Sequence, residues 1–82
     1  MAKTFHLTVA KIGENLFDGE AVSATLPGKE GVFQILAEHE AFVSELTPGA
    51  MEVKTADDQT RRFEIPTGGI AEVSRNQATI LL

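Results

Sequence analysis

The stretch FHLTVAKI, residues 5–12, decides the fold because its side chains alternate. The side chains of Phe5, Leu7 and Val9 point to one face of the strand. Those of His6, Thr8 and Ala10 point to the other face. A period of two is typical of a half-buried β-strand. The same alternation recurs along the chain at Val22, Ala24 and Leu26, at Phe63 and Ile65, and at Ala78, Ile80 and Leu82.

Turn-forming residues separate these runs at 13–15, 27–31, 48–49, 57–58, 68–69 and 74–77. Short alternating strands with such punctuation predict an all-β sandwich or barrel with antiparallel strands. Structural turns are expected at Gly28, Pro48, Gly49, Gly68 and Gly69. The pair Gly68-Gly69 suits a tight reversal between two strands, because glycine accepts positive φ at low steric cost.

Composition limits both the architecture and the function of the chain. A length of 82 residues predicts a single domain, 1–82, and the lack of cysteine excludes disulfides and thiolate zinc sites. The net charge of −5 disfavours nucleic acid and anionic membrane surfaces as partners. No apolar run is long enough to insert into a membrane, and no signal peptide is apparent, so we expect a cytoplasmic setting.

Residues 34–46 leave two structures open. The segment QILAEHEAFVSEL is rich in helix formers, and Pro48 would end such a helix. Strand spacing is equally present, since Phe33 and Ile35 continue one alternating run and Phe42 and Leu46 belong to another.

The triplet Glu38-His39-Glu40 suggests a metal site or an acid–base pair. A zinc motif beginning at His39 would need a second histidine at position 43, which is Val43. No serine lies in a nucleophile motif, and the GKEG stretch at 28–31 lacks the spacing of a phosphate loop. We therefore expect no metal, no cofactor, no small-molecule substrate and no catalytic residue.

Negative charge concentrates in residues 30–46, here called the acidic segment. It holds four acids and no Lys or Arg: Glu30, Glu38, Glu40 and Glu45. Either this is one solvated edge of a β domain, or it is a docking surface for a basic partner.

Several motifs in order resemble the N-terminal β-sandwich of the epsilon subunit of F-type ATP synthase. FHLTV is followed by LFDGEAVSATLPGKEGVFQI, which is similar to the family's Gly-x-Glu-Gly turn and the strands that flank it. The later matches are LTPG at 46–49, TGGIAEV at 67–73 and NQATIL at 76–81. The resemblance implies a flattened antiparallel sandwich of two sheets, with about eight to ten short strands, and selects strand-turn-strand for residues 34–46.

The resemblance also implies a function. The family subunit is a non-catalytic part of the rotor, or central stalk, which binds the gamma subunit and the c-ring and couples ion-driven rotation to ATP synthesis. By position, Glu30, Gly31 and His39 would face the c-ring, and Lys11 and Ser44 would lie near gamma. The expected location is the cytoplasmic face of the plasma membrane, held peripherally by the complex.

Two departures from the family pattern affect the assignment of family roles to residues of this chain. The family usually has glycine at position 34 and a Pro-Gly pair at 37–38, where this chain has Gln34, Ala37 and Glu38. The family also continues into a two-helix hairpin, which is absent from these 82 residues, so nucleotide sensing and self-inhibition are not assigned to them.

Two other function classes remain open beside the rotor subunit. The first alternative is a free-standing β-sandwich interaction module that docks a partner through the acidic segment. The second, a small hydrolase using His39 and a carboxylate, lacks a recognisable nucleophile.

Overall fold

A computed structural model describes residues 3–82, so residues 1–2 of the expected domain lie outside the described part. Eight strands occupy most of it. They are β1 (Phe5–Lys11), β2 (Glu14–Gly28), β3 (Gly31–Leu36), β4 (Phe42–Leu46), β5 (Gly49–Thr55), β6 (Thr60–Ile65), β7 (Gly69–Ser74) and β8 (Gln77–Leu81). No helix occurs in residues 3–82, so the helical alternative for 34–46 is wrong there: β3 and β4 flank a turn.

The strands form two layers that share β2. One layer has the order β4-β7-β8-β1 and continues into the first half of β2. The other has the order β3-β2-β5-β6 and uses the second half of β2. The predicted all-β sandwich is confirmed. One pairing departs from the antiparallel expectation, since β1 and β8 run parallel with Leu7 opposite Ala78.

Two β-bulges allow the fifteen-residue strand β2 to pass from one layer to the other. Val9 pairs with Phe17 and Ala10 with Asn15, which leaves Leu16 as an extra residue. Against β5, Val22 is the extra residue in the same way, between Ala21 and Ser23. Bulges bend and twist a strand. The expectation that Val22 lies on the buried face is wrong for this reason: the bulge places Ala21 in the core instead.

The core lies between the two layers and contains the alternating apolar positions. Among residues 3–82, fifteen hydrophobic residues are buried, with contributions from all eight strands. The largest fully buried side chains are Phe5, Leu7, Leu26, Ile35, Met51, Ile65, Ile80, Val9 and Val53. Burying each such side chain contributes about 1.5–3 kcal/mol, so this core is the main stabilising feature of a chain without cysteine.

Gly68 and Gly69 connect the two layers. They follow β6, which pairs with β5, and precede β7, which pairs with β4 and β8. The predicted tight reversal between strands is therefore wrong. Gly68 has φ +113°, and a Cβ on Gly69 would lie 2.3 Å from the carbonyl oxygen of Leu81. The pair is required because the backbone of this crossover lies against neighbouring backbone.

Candidate partner interface

The hairpin between β2 and β3 presents Glu30 at its tip. Gly28 pairs with Gly31 and closes a two-residue turn made of Lys29 and Glu30. The backbone N–H of Lys29 donates to the carbonyl oxygen of Glu45 over 2.9 Å, so the turn lies against β4. A surface groove of about 550 Å³ separates the turn from β4 and is lined by Lys29, Glu30, Val43, Ser44 and Glu45.

The turn between β3 and β4 carries Glu38 in a left-handed conformation, with φ +62°. Its backbone N–H donates to Oδ1 of Asn76 over 2.7 Å, and Nδ2 of Asn76 donates to the carbonyl oxygen of Thr4 over 2.9 Å. Asn76 thus connects three segments of the chain. The family's usual glycine at position 38 would suit such a φ; here a glutamate adopts it, held by Asn76.

His39 interacts with its own turn. Its Nδ1–H donates to the carbonyl oxygen of Glu40 over 2.7 Å, and its ring lies 4.9 Å from that of Phe42. The ring of Phe42 in turn meets that of Phe33 edge-on at 5.2 Å. The imidazole is therefore positioned by a tilted ring contact with Phe42 and by a hydrogen bond to the backbone, and the row of ring contacts joins the turn to β3.

The structure does not gather all the predicted site residues in one patch. Gly31 begins β3 and His39 follows its other end, and the strand is about 17 Å long at about 3.3 Å per residue. Glu30 and Ser44, which the resemblance assigned to different partners, line the same groove. Lys11 lies on β1, which β8 and β7 separate from β4 and Ser44.

Lys11 belongs to a separate, apolar end of the molecule. Its Nζ lies 3.4 Å from Oε1 of Glu14 across the β1–β2 turn. The neighbouring Ile12 is fully exposed at 100%. A depression of about 520 Å³ beside it is lined by Lys11, Ile12, Leu16, Pro66 and Leu82 among others. The apolar groups of Ile12, Leu16, Pro66 and Leu82 thus surround one open depression.

The acidic segment is partly neutralised by lysines from outside it. Lys3 Nζ lies 3.2 Å from Glu38, and Lys29 Nζ lies 3.5 Å from Glu45. No cation of residues 3–82 pairs with Glu30 or Glu40. The uncompensated negative charge therefore stands at the two ends of β3.

A cluster on the β1–β2 hairpin was missed by the sequence analysis. The register places His6 opposite Glu20 and next to Asp18, so that both ring nitrogens meet carboxylates. Hydrogen bonds that the ring N–H groups donate to Asp18 and then to Glu20 raise the pKa of His6 above its ordinary value. The alternation of β1 indicated only that His6 faces outward. Which side chains lie beside it depends on the register between β1 and β2.

No group of three or more histidine, aspartate or glutamate residues in the described part of the chain is arranged to hold a metal ion. Residues 3–82 also include no helix with the length and apolar character that crossing a bilayer requires.

Comparison with known proteins identifies the family. A family model described as "ATP synthase, Delta/Epsilon chain, beta-sandwich domain" matches residues 4–82. The chain belongs to the delta/epsilon β-sandwich domain family of ATP synthase. This match covers every strand described above, so the fold and the family rest on the same residues.

Relatives and solved structures agree with this delta/epsilon assignment. The ATP synthase epsilon chain of Herminiimonas arsenicoxydans is 36% identical over 81 residues, covering 99% of this chain and 58% of the relative. That of Bradyrhizobium sp. (strain ORS 278) is 40% identical, covering 95% and 56%. A chain from a structure of Euglena gracilis mitochondrial ATP synthase, OSCP/F1/c-ring, superposes with TM-score 0.88 at 28% identity, covering 95% of this chain and 49% of that one.

The chain spans less than three-fifths of the length of these curated relatives. What it shares with them is the whole β-sandwich, from the first strand to the last.

Proposed function

We propose that this chain is a non-catalytic rotor subunit of an F-type ATP synthase. It binds the gamma subunit and the c-ring and couples ion-driven rotation to ATP synthesis. The observation that carries the proposal is the family match over residues 4–82, together with a close structural neighbour from an F1/c-ring assembly. A dense sandwich suits the task because close-packed cores deform little under load.

In this proposal the groove between the β2–β3 turn and β4 faces the c-ring. Lys29 and Glu30 form one wall, Gly31 follows them at the start of β3, and the free carboxylate of Glu30 attracts basic groups on the ring loops. His39 extends the contact from the far end of β3. Ser44, on the opposite wall of the groove, stands at the boundary between ring and gamma. Lys11 and the exposed Ile12 form a separate gamma-facing contact.

The proposal places the chain peripherally at the cytoplasmic face of the plasma membrane, held there by the complex. It contributes no catalytic residue and no cofactor site of its own. The family match and the structural neighbour from an F1/c-ring assembly support this peripheral placement.

The test is assembly. The purified chain is mixed with a gamma-type rotor subunit, and with a detergent-solubilised c-ring, and complexes are detected by size-exclusion chromatography. We expect a stable complex with gamma and weaker, salt-sensitive binding to the ring. Absence of any complex at micromolar concentration contradicts the assignment.

Charge reversal tests the ring-facing surface. Glu30→Lys and Glu38→Lys should each weaken ring binding about tenfold in low salt, because a reversed charge repels the basic loops. Glu64→Lys, on β6, changes the net charge equally and is the matched control. If the Glu30→Lys and Glu64→Lys variants bind the c-ring equally well, the β2–β3 turn does not contact the ring.

The alternative is a free-standing interaction module that docks a partner through the acidic segment. The uncompensated carboxylates of Glu30 and Glu40 favour it equally. Failure to bind gamma, together with capture of a different basic protein by the acidic segment, would select it.

A further inference from the structure

The two edges of the β3-β2-β5-β6 layer differ in how they are protected. β6 carries three charged residues, Arg61, Arg62 and Glu64. β3, with the sequence GVFQIL, carries none. Exposed edge strands in soluble proteins are commonly blunted by charge, proline or bulges. β3 has none of these along its length, and within residues 3–82 it pairs only with β2.

The unpaired backbone groups of β3 can be assigned from its register. Val32 stands opposite Pro27, which has no N–H and whose carbonyl oxygen accepts from Thr47 on the other side of β2. This pair is therefore not hydrogen-bonded to β3. In antiparallel pairing, the N–H and C=O of such a residue point away from its partner strand. Val32 thus directs both groups outward.

The same alternation applies two and four residues further along. Gln34 directs its N–H and C=O outward, and Leu36 directs its N–H outward, while its C=O accepts from His39 over 3.2 Å. The side chains beside this edge are exposed as well, Val32 at 74% and Leu36 at 50%. An apolar, uncharged strand with a free ladder of donors and acceptors is a template for strand addition.

The charges at the ends of β3 indicate what would add to it. Glu30 precedes the strand, and Glu38 and Glu40 follow it; Glu30 and Glu40 have no cation partner among the described residues. We propose that the free edge of β3 accepts an extended segment of a partner protein with a short β-branched stretch flanked by basic residues. This inference does not depend on the rotor assignment.

A second copy of the chain is a poorer occupant. Antiparallel pairing of β3 with itself would bring Glu30 of each copy beside Glu38 and Glu40 of the other. Like charges placed opposite one another repel. The net charge of −5 on each copy adds to that repulsion.

The experiment uses a synthetic peptide of alternating valine and threonine with two lysines at each end, added to the whole 82-residue chain in low salt. Amide hydrogen exchange is followed by NMR. We expect slower amide exchange at Val32, Gln34 and Leu36 when the peptide is bound. The dissociation constant should lie in the micromolar range and should rise as salt is added. The same peptide with glutamates in place of the lysines should bind at least tenfold more weakly.

Two variants separate strand addition from side-chain contact. Gln34→Pro removes an outward donor without breaking a bond to β2, and proline is tolerated at such edge positions. Gln34→Thr keeps the donor and is the control. Binding should fall at least tenfold in Gln34→Pro and change less than about twofold in Gln34→Thr. A peptide N-methylated at the residues facing β3 should also fail to bind, which needs no protein variant.

Three results would overturn the inference. The first is unchanged exchange along β3 at millimolar peptide. The second is protection along β6 rather than β3. The third is dimerisation of the chain through β3 without peptide, since the occupant would then be a second copy. Failure to bind gamma or the c-ring bears only on the rotor assignment, so the two proposals fail separately.

Discussion

The side-chain amide of Asn76 lies between the N–H of Glu38 and the carbonyl oxygen of Thr4, at 2.7 and 2.9 Å. Three segments distant in sequence thus meet at one residue of the β7–β8 turn. Asn76 itself has φ +59° and its neighbour Arg75 has φ +52°, as in a type I′ turn. Asn76 therefore contributes both turn geometry and a tertiary bridge.

Replacing Asn76 with glycine separates these two contributions. Glycine keeps the left-handed conformation but removes both hydrogen bonds, so we expect a loss of about 1 kcal/mol in the free energy of unfolding. Arg75→Gly is the control, because Arg75 has a similar positive φ but takes no part in the hydrogen bonds of the Asn76 side chain. This variant should be as stable as the wild type or more stable. Urea denaturation measures both. If Asn76→Gly is as stable as Arg75→Gly, the bridge contributes nothing.

Glu38 has a backbone conformation that favours glycine, with φ +62°. Glu38→Gly and Glu38→Ala both remove the exposed ion pair with Lys3, but only glycine relieves the conformation. We expect Glu38→Gly to be more stable than Glu38→Ala by about 1 kcal/mol. Thermal and urea unfolding of the two variants give the difference directly. An alanine variant as stable as the glycine variant contradicts the expected strain.

Gly69 leaves no space for a side chain. A Cβ there would lie 2.3 Å from the carbonyl oxygen of Leu81, which is backbone in the adjacent strand and cannot move without breaking the pairing. Gly69→Ala should therefore cost about 3 kcal/mol or more in stability. Gly19→Ala is the control, since its nearest contact would be the Phe17 ring at an ordinary 3.5 Å. If Gly69→Ala and Gly19→Ala lower the stability by the same small amount, the backbone contact between β7 and β8 is not rigid.

His6 predicts a pH dependence. Asp18 and Glu20 raise its pKa in the folded state, so the folded chain binds this proton more tightly than the unfolded chain. The stabilisation is fully present below the unfolded value of about 6.5 and is lost as the pH rises through the raised pKa. The stability difference between the wild type and His6→Gln should accordingly shrink from about pH 5 to about pH 8.

NMR titration checks the cause of that dependence. The pKa of His6 should fall in Asp18→Asn, which removes the first of the two carboxylates. Glu20→Gln should lower it in the same direction. Unchanged titration of His6 in both variants would show that neither carboxylate interacts with the imidazole in solution.

Much of the fold was readable from local pattern. Alternation placed Phe5, Leu7 and Val9 in the core, and turn residues located the connections at 27–31, 57–58 and 74–77. Alternation failed at Val22, because a bulge is a property of two paired strands and not of one. Composition alone could not choose between helix and strand for 34–46, since isolated propensities are weak and tertiary pairing overrides them.

The sequence by itself determined most of the side chains that face inward, because the two-residue period of a strand is a local property of the backbone; Val22, at a bulge, is the exception. It also contained the motifs that identify the family. Only the tertiary structure decided which strands are neighbours. That pairing places two carboxylates beside His6, brings Glu30 and Ser44 to one groove and leaves the edge of β3 open. These features depend on the register between paired strands and on which strands lie side by side, and both are set by the packing of the whole core.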